Sequence, residues 1–476
     1  MTGIPTFAVI GRVNKGKSSI VSALAEDESV VIDSGAGTTL VCQEFPVKVD
    51  GQTIIILIDT PGFQQAPRAL AWMKEREVSA ANRRDVVVEF FEHFKNTDDF
   101  VDECRLLKPI LNGAGILYVV DGAKPFRRNF EAEMEILRWT GQPRMALINH
   151  IGENDFSEGW RPALDQYFSV VREFNAQRVK FRDRMELFQA FRELHDAWRP
   201  KVDEAIKYLN AEWQRRAREA AHIISEMLAE ELTYYSEIGL YKHENIENHR
   251  ASLETKFHDW LRKREIKSRR AIEKLYQHNN LEREETELGK PVFQQDLFAE
   301  STWDILGLTP RQLLSLGAIA GAALGGTLDA AVGGSSFLAG AVGGALLGAG
   351  SVAYFSTKRF ASIEHVGKFL KGSRFVKVGP HKNQNFPWVL LDRALLHYFK
   401  VRDFAHSRRE KIIIRNSDDE GFVKELKSGQ RRELAKIFNS LRKNPDNGNE
   451  IEKKKLEEIL LEIIREKSEL KLQNQD

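Results

Sequence analysis

The sequence predicts an α/β domain with a mostly parallel sheet and helices on both faces, followed by a mainly α-helical region. That region contains a glycine-rich helical hairpin and a small mixed α/β segment. Short continuous apolar runs alternate with helix-length segments up to about residue 178, and apolar residues then recur at three- and four-residue steps. Residues 313–355 hold about a third of the chain's glycines, with Asp329 as their only charge.

Length and charge limit the classes of protein to consider. The 476 residues exceed one compact core and favour about two to four domains. Lys and Arg number 70 against 69 for Asp and Glu, so net charge draws the chain neither to nucleic acid nor to lipid. The two cysteines, Cys42 and Cys104, offer neither a disulfide framework nor a metal cluster. With no signal-peptide pattern at the start, these features predict a cytoplasmic protein.

Four apolar runs are the predicted strands of the first domain, residues 1–178. They lie at residues 7–10, 54–58, 115–120 and 145–148. Because the runs are continuous rather than alternating, both faces of the sheet are expected to be buried, as in parallel sheets. Residues 63–108 form a long, charged connection with a helical pattern, which is either an ordinary covering helix or a surface for an effector.

A phosphate-binding motif follows the first predicted strand and opens a predicted helix. Residues 11–18 fit the pattern Gly-x-x-x-x-Gly-Lys-Ser/Thr. The glycines let the backbone wrap phosphates, while Lys17 is expected to neutralise the β- and γ-phosphates and Ser18 to bind Mg²⁺. The predicted nucleotide-binding residues of this loop are Gly11, Asn14, Lys15, Gly16, Lys17, Ser18 and Ser19.

Two further elements complete the predicted phosphate site. Asp59-Thr60-Pro61-Gly62 closes the strand at 54–58, where a carboxylate is placed to accept from a Mg²⁺-bound water. The N–H of Gly62 can meet a γ-phosphate, because glycine has no side chain to block a close approach. Between the two motifs lies Gly37-Thr38-Thr39, and a threonine there can complete the Mg²⁺ shell in the triphosphate state.

In residues 11–19, 37–39 and 59–62, the chain resembles the TrmE–Era–EngA-like class of bacterial P-loop GTPases. The resemblance covers about residues 5–178. It implies GTP and Mg²⁺ as ligands, GDP as the product, and K⁺ as a further cofactor in the potassium-dependent members.

Several residue roles are implied by this resemblance. Thr39 aligns with a switch-I Mg²⁺ ligand, and Asn14 aligns with the asparagine that binds K⁺ beside the phosphates. Phe63 stands where Ras-like proteins carry a catalytic glutamine, so water activation needs another residue, K⁺ or a partner in trans. The chain has Leu40-Val41 where the family pattern continues with Arg-Asp, which is a departure within switch I.

The base-binding residues also depart from the family pattern Asn-Lys-x-Asp. The chain has Asn149-His150-Ile151-Gly152, so Asn149 is kept and a glycine replaces the guanine-reading aspartate. Asp155 either reaches the base through a longer loop or is only an N-cap or loop residue. Asn175 and Ala176 end a later strand, where the resemblance places backbone N–H groups on guanine O6. GTP is favoured by the resemblance, and loose base discrimination or use of ATP is the alternative.

Beyond the first domain, changes in composition predict four segments. They are a long amphipathic helical arm at 179–300, a glycine-zipper hairpin at 301–360, a small mixed segment at 361–415 and a charged helical tail at 416–476. The resemblance, to such a GTPase fused to a further C-terminal region, supplies no function for them. A basic run at 262–270 is either a lipid or RNA contact or the solvated face of a helix.

Glycines at four-residue spacing characterise both arms of the predicted hairpin. They are Gly317, Gly321 and Gly325 in the first arm, and Gly340, Gly344 and Gly348 in the second. Each interior glycine costs a helix about 1 kcal/mol relative to alanine, so the stripes indicate close backbone packing. Residues 313–355 either contact a membrane, the inner membrane in a bacterium, or pack inside a soluble domain. The first arm is shorter than the roughly 20 residues that a membrane span needs.

Three functions are compatible with these features. The first is a GTP-hydrolysing switch whose C-terminal region contacts a membrane or a protein effector. The second is a nucleotide-dependent scaffold with little turnover, favoured by Gly152 and Phe63. The third is an RNA- or ribosome-directed GTPase, which ranks lower because the sequence after the GTPase domain shows no Gly-x-x-Gly RNA-binding loop between basic residues.

Overall fold

The computed structural model divides the chain into two compact units. The first comprises Met1–Gln214, Gln277–Asn280 and Asp403–Glu410, and the second comprises Arg215–Tyr276, Leu281–Arg402 and Lys411–Asp476. The structure describes residues 4–12, 16–25, 42–49, 51–77, 79–150, 154–176, 181–240, 246–276, 297, 306–309, 311–313, 316, 362–368, 374–403, 421–443, 445 and 449–473.

A six-stranded sheet forms the centre of the first unit, in the order β2-β3-β1-β4-β5-β6. The strands are β1 (Thr6–Ile10), β2 (Gln43–Val49), β3 (Gln52–Asp59), β4 (Gly115–Asp121), β5 (Arg144–Asn149) and β6 (Val170–Phe174). Neighbouring strands are parallel except β2, which pairs antiparallel with β3 at the edge. The four apolar runs that were predicted to be strands are confirmed, and so is the mostly parallel sheet.

Helices cover both faces of this sheet. They are α1 (Lys17–Ala25), α2 (Ala66–Lys74), α3 (Arg83–Phe94), α4 (Val101–Leu111), α5 (Glu131–Trp139), α6 (Ser157–Leu164) and α7 (Phe181–Leu194). Alternate residues of β1 enter opposite cores: Ala8 and Ile10 join the cluster built by α2 to α6, whereas Phe7 and Val9 join the cluster built by α1 and α7. The predicted fold class of the first domain is therefore confirmed.

The long connection between β3 and β4 consists of three helices, α2, α3 and α4. Val86, Val87 and Phe90 of α3 are buried in the core on that face of the sheet. The ring of Phe90 packs against Trp72 of α2 and against Phe100, which precedes α4. The contacts show helices that cover the sheet, and a role as an effector surface stays a prediction.

Five helices and a small sheet form the described part of the second unit. The helices are α8 (Arg199–Thr233), which begins in the first unit, α9 (Ile246–Leu275), α10 (Phe386–Arg402), α11 (Ser428–Lys443) and α12 (Glu450–Gln473). The sheet contains β7 (Ser236–Leu240), β8 (Ser362–Lys368) and β9 (Arg374–His381), in the order β7-β9-β8 with antiparallel pairs. It joins a strand of the predicted arm to two strands of the predicted mixed segment.

Helix α10 lies in the middle of this unit and is buried along nearly its whole length. Its polar side chains therefore need partners. The Asp392 carboxylate accepts the backbone N–H groups of Gly307 and Val423, each at 2.8 Å. The Arg393 guanidinium pairs with Glu265 of α9. These contacts tie α10 to three other parts of the chain.

Helix α12, which lies in the charged tail, contributes to the core of the second unit. Leu456, Leu460, Ile463 and Ile464 of α12 form a stripe of buried residues. The helical spacing of these four residues buries one face of α12 while its Lys and Glu side chains cover the other.

Most of the predicted glycine-zipper hairpin at 301–360 lies outside the described residues, which within that range are 306–309, 311–313 and 316. None of the helices in the described part of the chain has both the length and the apolar character needed to cross a membrane.

Candidate nucleotide-binding site

The predicted site residues of the described chain gather at one edge of the six-stranded sheet. The loop beginning at Gly11 follows β1, Asp59 ends β3, Asn149 ends β5, and Asn175-Ala176 follow β6. These strands are parallel, so their carboxyl ends meet at the same edge. In open α/β sheets, ligands bind in the crevice at this edge.

The first residue of the loop must be a glycine in this fold. Gly11 has a φ of +152°, and a Cβ added there would lie 2.3 Å from the carbonyl oxygen of Val119 in β4. Gly16, at the other end of the loop, has a φ of +80°. Its carbonyl accepts the N–H of Ile20 at 2.9 Å, so α1 begins directly at the loop. The N-terminus of α1 therefore directs its free N–H groups and its positive dipole end towards the loop.

The ammonium group of Lys17 is buried beside this loop. Its Nζ donates to the carbonyl oxygen of Arg12 at 3.1 Å, and the residue is 7% exposed. Burial lowers the pKa of Lys17, whereas the carboxylates of Asp59 and Glu133 act to raise it. A buried cation with nearby carboxylates is suited to an anionic ligand, which would replace the water that the ammonium has lost.

Two oxygen groups from different motifs meet at the start of α1. The Ser18 hydroxyl donates to Oδ2 of Asp59 at 2.7 Å, although 41 residues separate them in the chain. Asp59 is 4% exposed. A hydroxyl and a carboxylate oxygen in contact are the kind of ligands that Mg²⁺ takes, together with phosphate oxygens and water. The residues present thus fit a magnesium site, while the third predicted ligand, Thr39, lies outside the described residues.

A buried carboxylate that sequence reasoning missed holds the second residue of the loop. Glu133 of α5 forms an ion pair with Arg12 and accepts the Tyr118 hydroxyl at 2.9 Å. Arg12 also donates to the carbonyl of Asn129 at 2.8 Å and lies 4.0 Å from the centre of the Phe130 ring. Burial raises the pKa of Glu133, and the Arg12 charge opposes that shift. This network fixes the loop against α5.

At the other end of the edge, Asn149 joins two strands. Its side-chain oxygen accepts the N–H of Ala176 at 3.2 Å, and the residue is 2% exposed. The backbone N–H of His150 donates to the carbonyl of Phe174 at 3.0 Å. The structure therefore brings together Asn149 and the Asn175-Ala176 turn, as the prediction of a base site requires.

Asp155 has a local role in the structure. Its Oδ1 accepts the backbone N–H of Ser157 at 2.9 Å, which caps the start of α6. The hydrogen bonds from Ser157 lower the pKa of Asp155. The ring of His150, which stands at the lysine position of the family pattern, lies 4.0 Å from Oδ1 of Asp155 and 3.5 Å from Oε2 of Glu173. Gly152 lies outside the described residues.

The cap gives a test of the two interpretations of Asp155. We expect Asp155→Asn to keep the preference for GTP over ATP, because asparagine caps a helix about as well as aspartate. Asp155→Ala should lower the melting temperature slightly through loss of the cap, again with unchanged preference. Competition of GTP, ATP and XTP against a fluorescent GTP analogue measures the preference. Loss of the preference for GTP in Asp155→Asn would show instead that the carboxylate binds guanine, since an amide cannot accept from both N1 and N2 of guanine.

Two family models match the chain. A model described as a 50S ribosome-binding GTPase matches residues 6–149. A model described as a domain of unknown function (DUF3482) matches residues 161–465, which is more than half of the chain. The chain belongs to the DUF3482 family. In this DUF3482 protein, the GTPase match ends at the last residue of β5 and the family region begins within α6.

Curated relatives match part of this DUF3482 protein. GTPase Der of Rhodopirellula baltica is 34% identical over 95 residues, which is 19% of this chain and 21% of the relative. The tRNA modification GTPase MnmE of Sulfurimonas denitrificans is 32% identical over 148 residues, which is 29% of this chain and 32% of the relative. The chain thus spans about a fifth to a third of the length of these relatives. The predicted resemblance to bacterial P-loop GTPases is confirmed.

Solved structures of Era are also similar to the DUF3482 protein. A crystal structure of an Era variant from Aquifex aeolicus bound to GDP·AlF4⁻ is 17% identical, with a TM-score of 0.27, covering 57% of this chain and 89% of that chain. Era in complex with MgGDPNP and a segment of 16S ribosomal RNA is 16% identical, with a TM-score of 0.28 and the same coverage.

Proposed function

We propose that the protein binds GTP with Mg²⁺ at the candidate site, hydrolyses it, and acts as a nucleotide-dependent switch. One observation carries the proposal: the Ser18 hydroxyl meets Oδ2 of Asp59 at 2.7 Å, directly beside the buried ammonium of Lys17. Three groups with separate phosphate and metal roles converge on the start of one helix. The relatives Der and MnmE are described as GTPases, which supports guanine as the base.

The proposed roles follow from position and charge. The loop from Gly11 to Gly16 and the first N–H groups of α1 bind the phosphates, with Lys17 as the main counter-charge. Ser18, Asp59 and Thr39 would hold Mg²⁺, which would supply positive charge to neutralise the phosphates. Ser19 and two residues that lie outside the described residues, Asn14 and Lys15, are proposed as the other nucleotide-binding residues of the loop. Gly62 presents its N–H to the γ-phosphate.

On the base side, Asn149 holds the turn whose N–H groups would meet guanine O6. Its bond to Ala176 keeps this turn against the end of β5. Asn175 and Ala176 are therefore the base-binding residues with the best geometric support. Asp155 is proposed as the α6 cap rather than as the guanine-reading carboxylate.

The source of water activation distinguishes the switch from the alternative, a scaffold with little turnover. Phe63 has an apolar side chain that is 5% exposed and packed in the core, so it cannot orient an attacking water. The switch therefore needs another residue of the chain, K⁺ at Asn14 or a group supplied by a partner. The burial of Phe63 is the specific observation that favours the scaffold. For either function, we propose that residues 313–355 contact a membrane or a protein effector.

Measuring phosphate release from GTP and ATP, with binding measured in parallel, tests the proposed function. Turnover of GTP supports the switch. Tight GTP binding, with no more phosphate release than Lys17→Ala shows, supports the scaffold. Protein that binds neither GTP nor GDP would refute both.

Potassium is expected to accelerate hydrolysis. A monovalent cation bound by Asn14 would offset the charge that develops in the transition state, in place of an arginine finger. We expect a higher rate in KCl than in NaCl at equal ionic strength, and loss of this difference in Asn14→Ala. Phosphate release at saturating GTP is the measurement, with Asn129→Ala as a control asparagine outside the loop. A rate that is the same in both salts would contradict the prediction.

A further inference from the structure

The segment directly after Gly62 is held by a single carboxylate from a distant helix. Oε1 of Glu103 accepts the backbone N–H of Gln64 at 2.8 Å and that of Gln65 at 2.5 Å. Glu103 lies in the first turn of α4 and is 1% exposed. Charge-assisted bonds to two N–H groups in a buried setting are stronger than ordinary backbone hydrogen bonds. They fix the path of the chain between Gly62 and α2.

Helix α2 depends on this carboxylate for its cap. Gln65 is its N-cap residue and makes no side-chain capping bond, and a proline occupies the first turn. The first N–H groups of a helix need an acceptor from outside the helix, and a negative charge there is favourable. Glu103 provides an acceptor for the N–H of the N-cap residue Gln65 and a negative charge at this end of α2.

Gly62 is fixed from both sides. Before it, the hydroxyl of Thr60 donates to the carbonyl of Val9 in β1 at 2.8 Å. After it, the Phe63 side chain is buried in the same core cluster as Phe90 and Phe100. Glu103 adds the two backbone bonds that follow Phe63. The backbone on both sides of Gly62 is therefore held by contacts within the protein.

Phe100, the residue before α4, has a strained backbone and determines the direction of the helical turn that contains Glu103. Phe100 has a φ of 55° and a ψ of 32°, a left-handed conformation that costs a non-glycine residue roughly 1–2 kcal/mol. Its ring packs against Phe94 at 4.7 Å and against Phe90 at 5.1 Å between ring centres. The packing of this ring maintains the conformation, and the first turn of α4 then carries Glu103 to the start of α2.

The geometry points to Glu103 as a positioning residue for recognition of the γ-phosphate. It does not touch the nucleotide, but it holds the backbone that presents Gly62, and the inference rests on the proposed function. GDP has no γ-phosphate for Gly62 to meet. Loss of Glu103 should therefore weaken binding of GTP and leave binding of GDP nearly unchanged. A residue that only stabilised the fold would affect both nucleotides alike.

The test compares three variants of the full chain. Glu103→Ala removes the acceptor, Glu103→Gln keeps an acceptor without the charge, and Asp102→Asn removes a charge from the neighbouring residue, whose carboxylate pairs with Arg105 instead. Dissociation constants are measured for a non-hydrolysable GTP analogue and for GDP. We expect Glu103→Ala to bind the GTP analogue about tenfold more weakly than wild type, and Glu103→Gln to lose less affinity. The dissociation constant of GDP should stay within about twofold of wild type in both variants. Asp102→Asn should match wild type.

The outcomes separate this inference from the proposed function. Wild type that binds neither nucleotide refutes the proposed function and Glu103's role with it. Wild type that binds both, with an unchanged ratio of the two constants in Glu103→Gln and Glu103→Ala, refutes the role of Glu103 alone. If Glu103→Ala does not fold, Glu103→Gln decides, and equal loss of GDP and GTP there would show a purely structural residue.

Discussion

Replacing Lys17 with alanine is expected to weaken GTP binding by about 100-fold or more, because the variant loses the main counter-charge of the β- and γ-phosphates. The ammonium is buried and already held at the carbonyl of Arg12, so its position is set before any ligand arrives. Titration of a fluorescent GTP analogue measures the loss. Burial lowers the pKa of Lys17, so its charge costs free energy in the ligand-free fold, and an anionic ligand would offset that cost.

Lys48→Ala is the matched control for this prediction. Lys48 is an exposed residue of the edge strand β2, so the control removes the same charge from the same unit. It should bind GTP like wild type. If Lys17→Ala and Lys48→Ala bound the analogue with equal affinity, the assignment of the phosphate site to this loop would be wrong.

Four of the parallel strands, β1, β3, β4 and β5, were predictable because each contains a continuous apolar run. Strand β2 is different: Phe45 and Val47 are buried while Gln43, Glu44 and Lys48 are exposed. Its signals were this alternation and the Asp50-Gly51 pair before β3, a common hairpin turn. Strand β7 had a weaker sequence signal, because Ser236–Leu240 is a strand only through its pairing with β9, far along the chain.

The phosphate residues were predictable for a related reason. Gly11, Lys17 and Ser18 stand in one contiguous motif, and their spacing alone defines a loop that opens a helix. Glu103 and Glu133 had no such signal. Each lies on a charged helix that carries other acidic residues. Only the packing of that helix against the sheet determines that Glu103 or Glu133 is the buried one. Contacts across 38 and 121 residues cannot be read from a local pattern.

The second unit contains a buried charge cluster that sequence could not reveal either. Nε and Nη2 of Arg393 donate to the two carboxylate oxygens of Glu265 at 2.6 and 3.0 Å, and Arg269 binds the same carboxylate. Against the effect of burial, the two guanidinium groups lower the pKa of Glu265. Burial, together with the charge of Glu265, raises the pKa of Glu231 well above its usual range.

Breaking this cluster is expected to destabilise the second unit strongly. Arg393→Leu removes a guanidinium that is 2% exposed and leaves part of the Glu265 charge buried without its bidentate partner. Removing one member of a buried ion pair typically costs about 3–5 kcal/mol in the free energy of unfolding. Denaturant unfolding gives that free energy, and hydrogen exchange of the α10 amides reports where the protection is lost.

The control is an exposed ion pair on the same helix as Glu265. Arg262 donates to Asp259 at 3.1 Å, and both side chains are open to solvent. Arg262→Leu should change the free energy of unfolding by less than about 1 kcal/mol, because exposed pairs are screened and cost side-chain entropy to hold. A similar loss in both variants would show that the burial of Arg393 does not matter. Protection retained in α10 of Arg393→Leu would mean that Arg269 alone satisfies the Glu265 carboxylate.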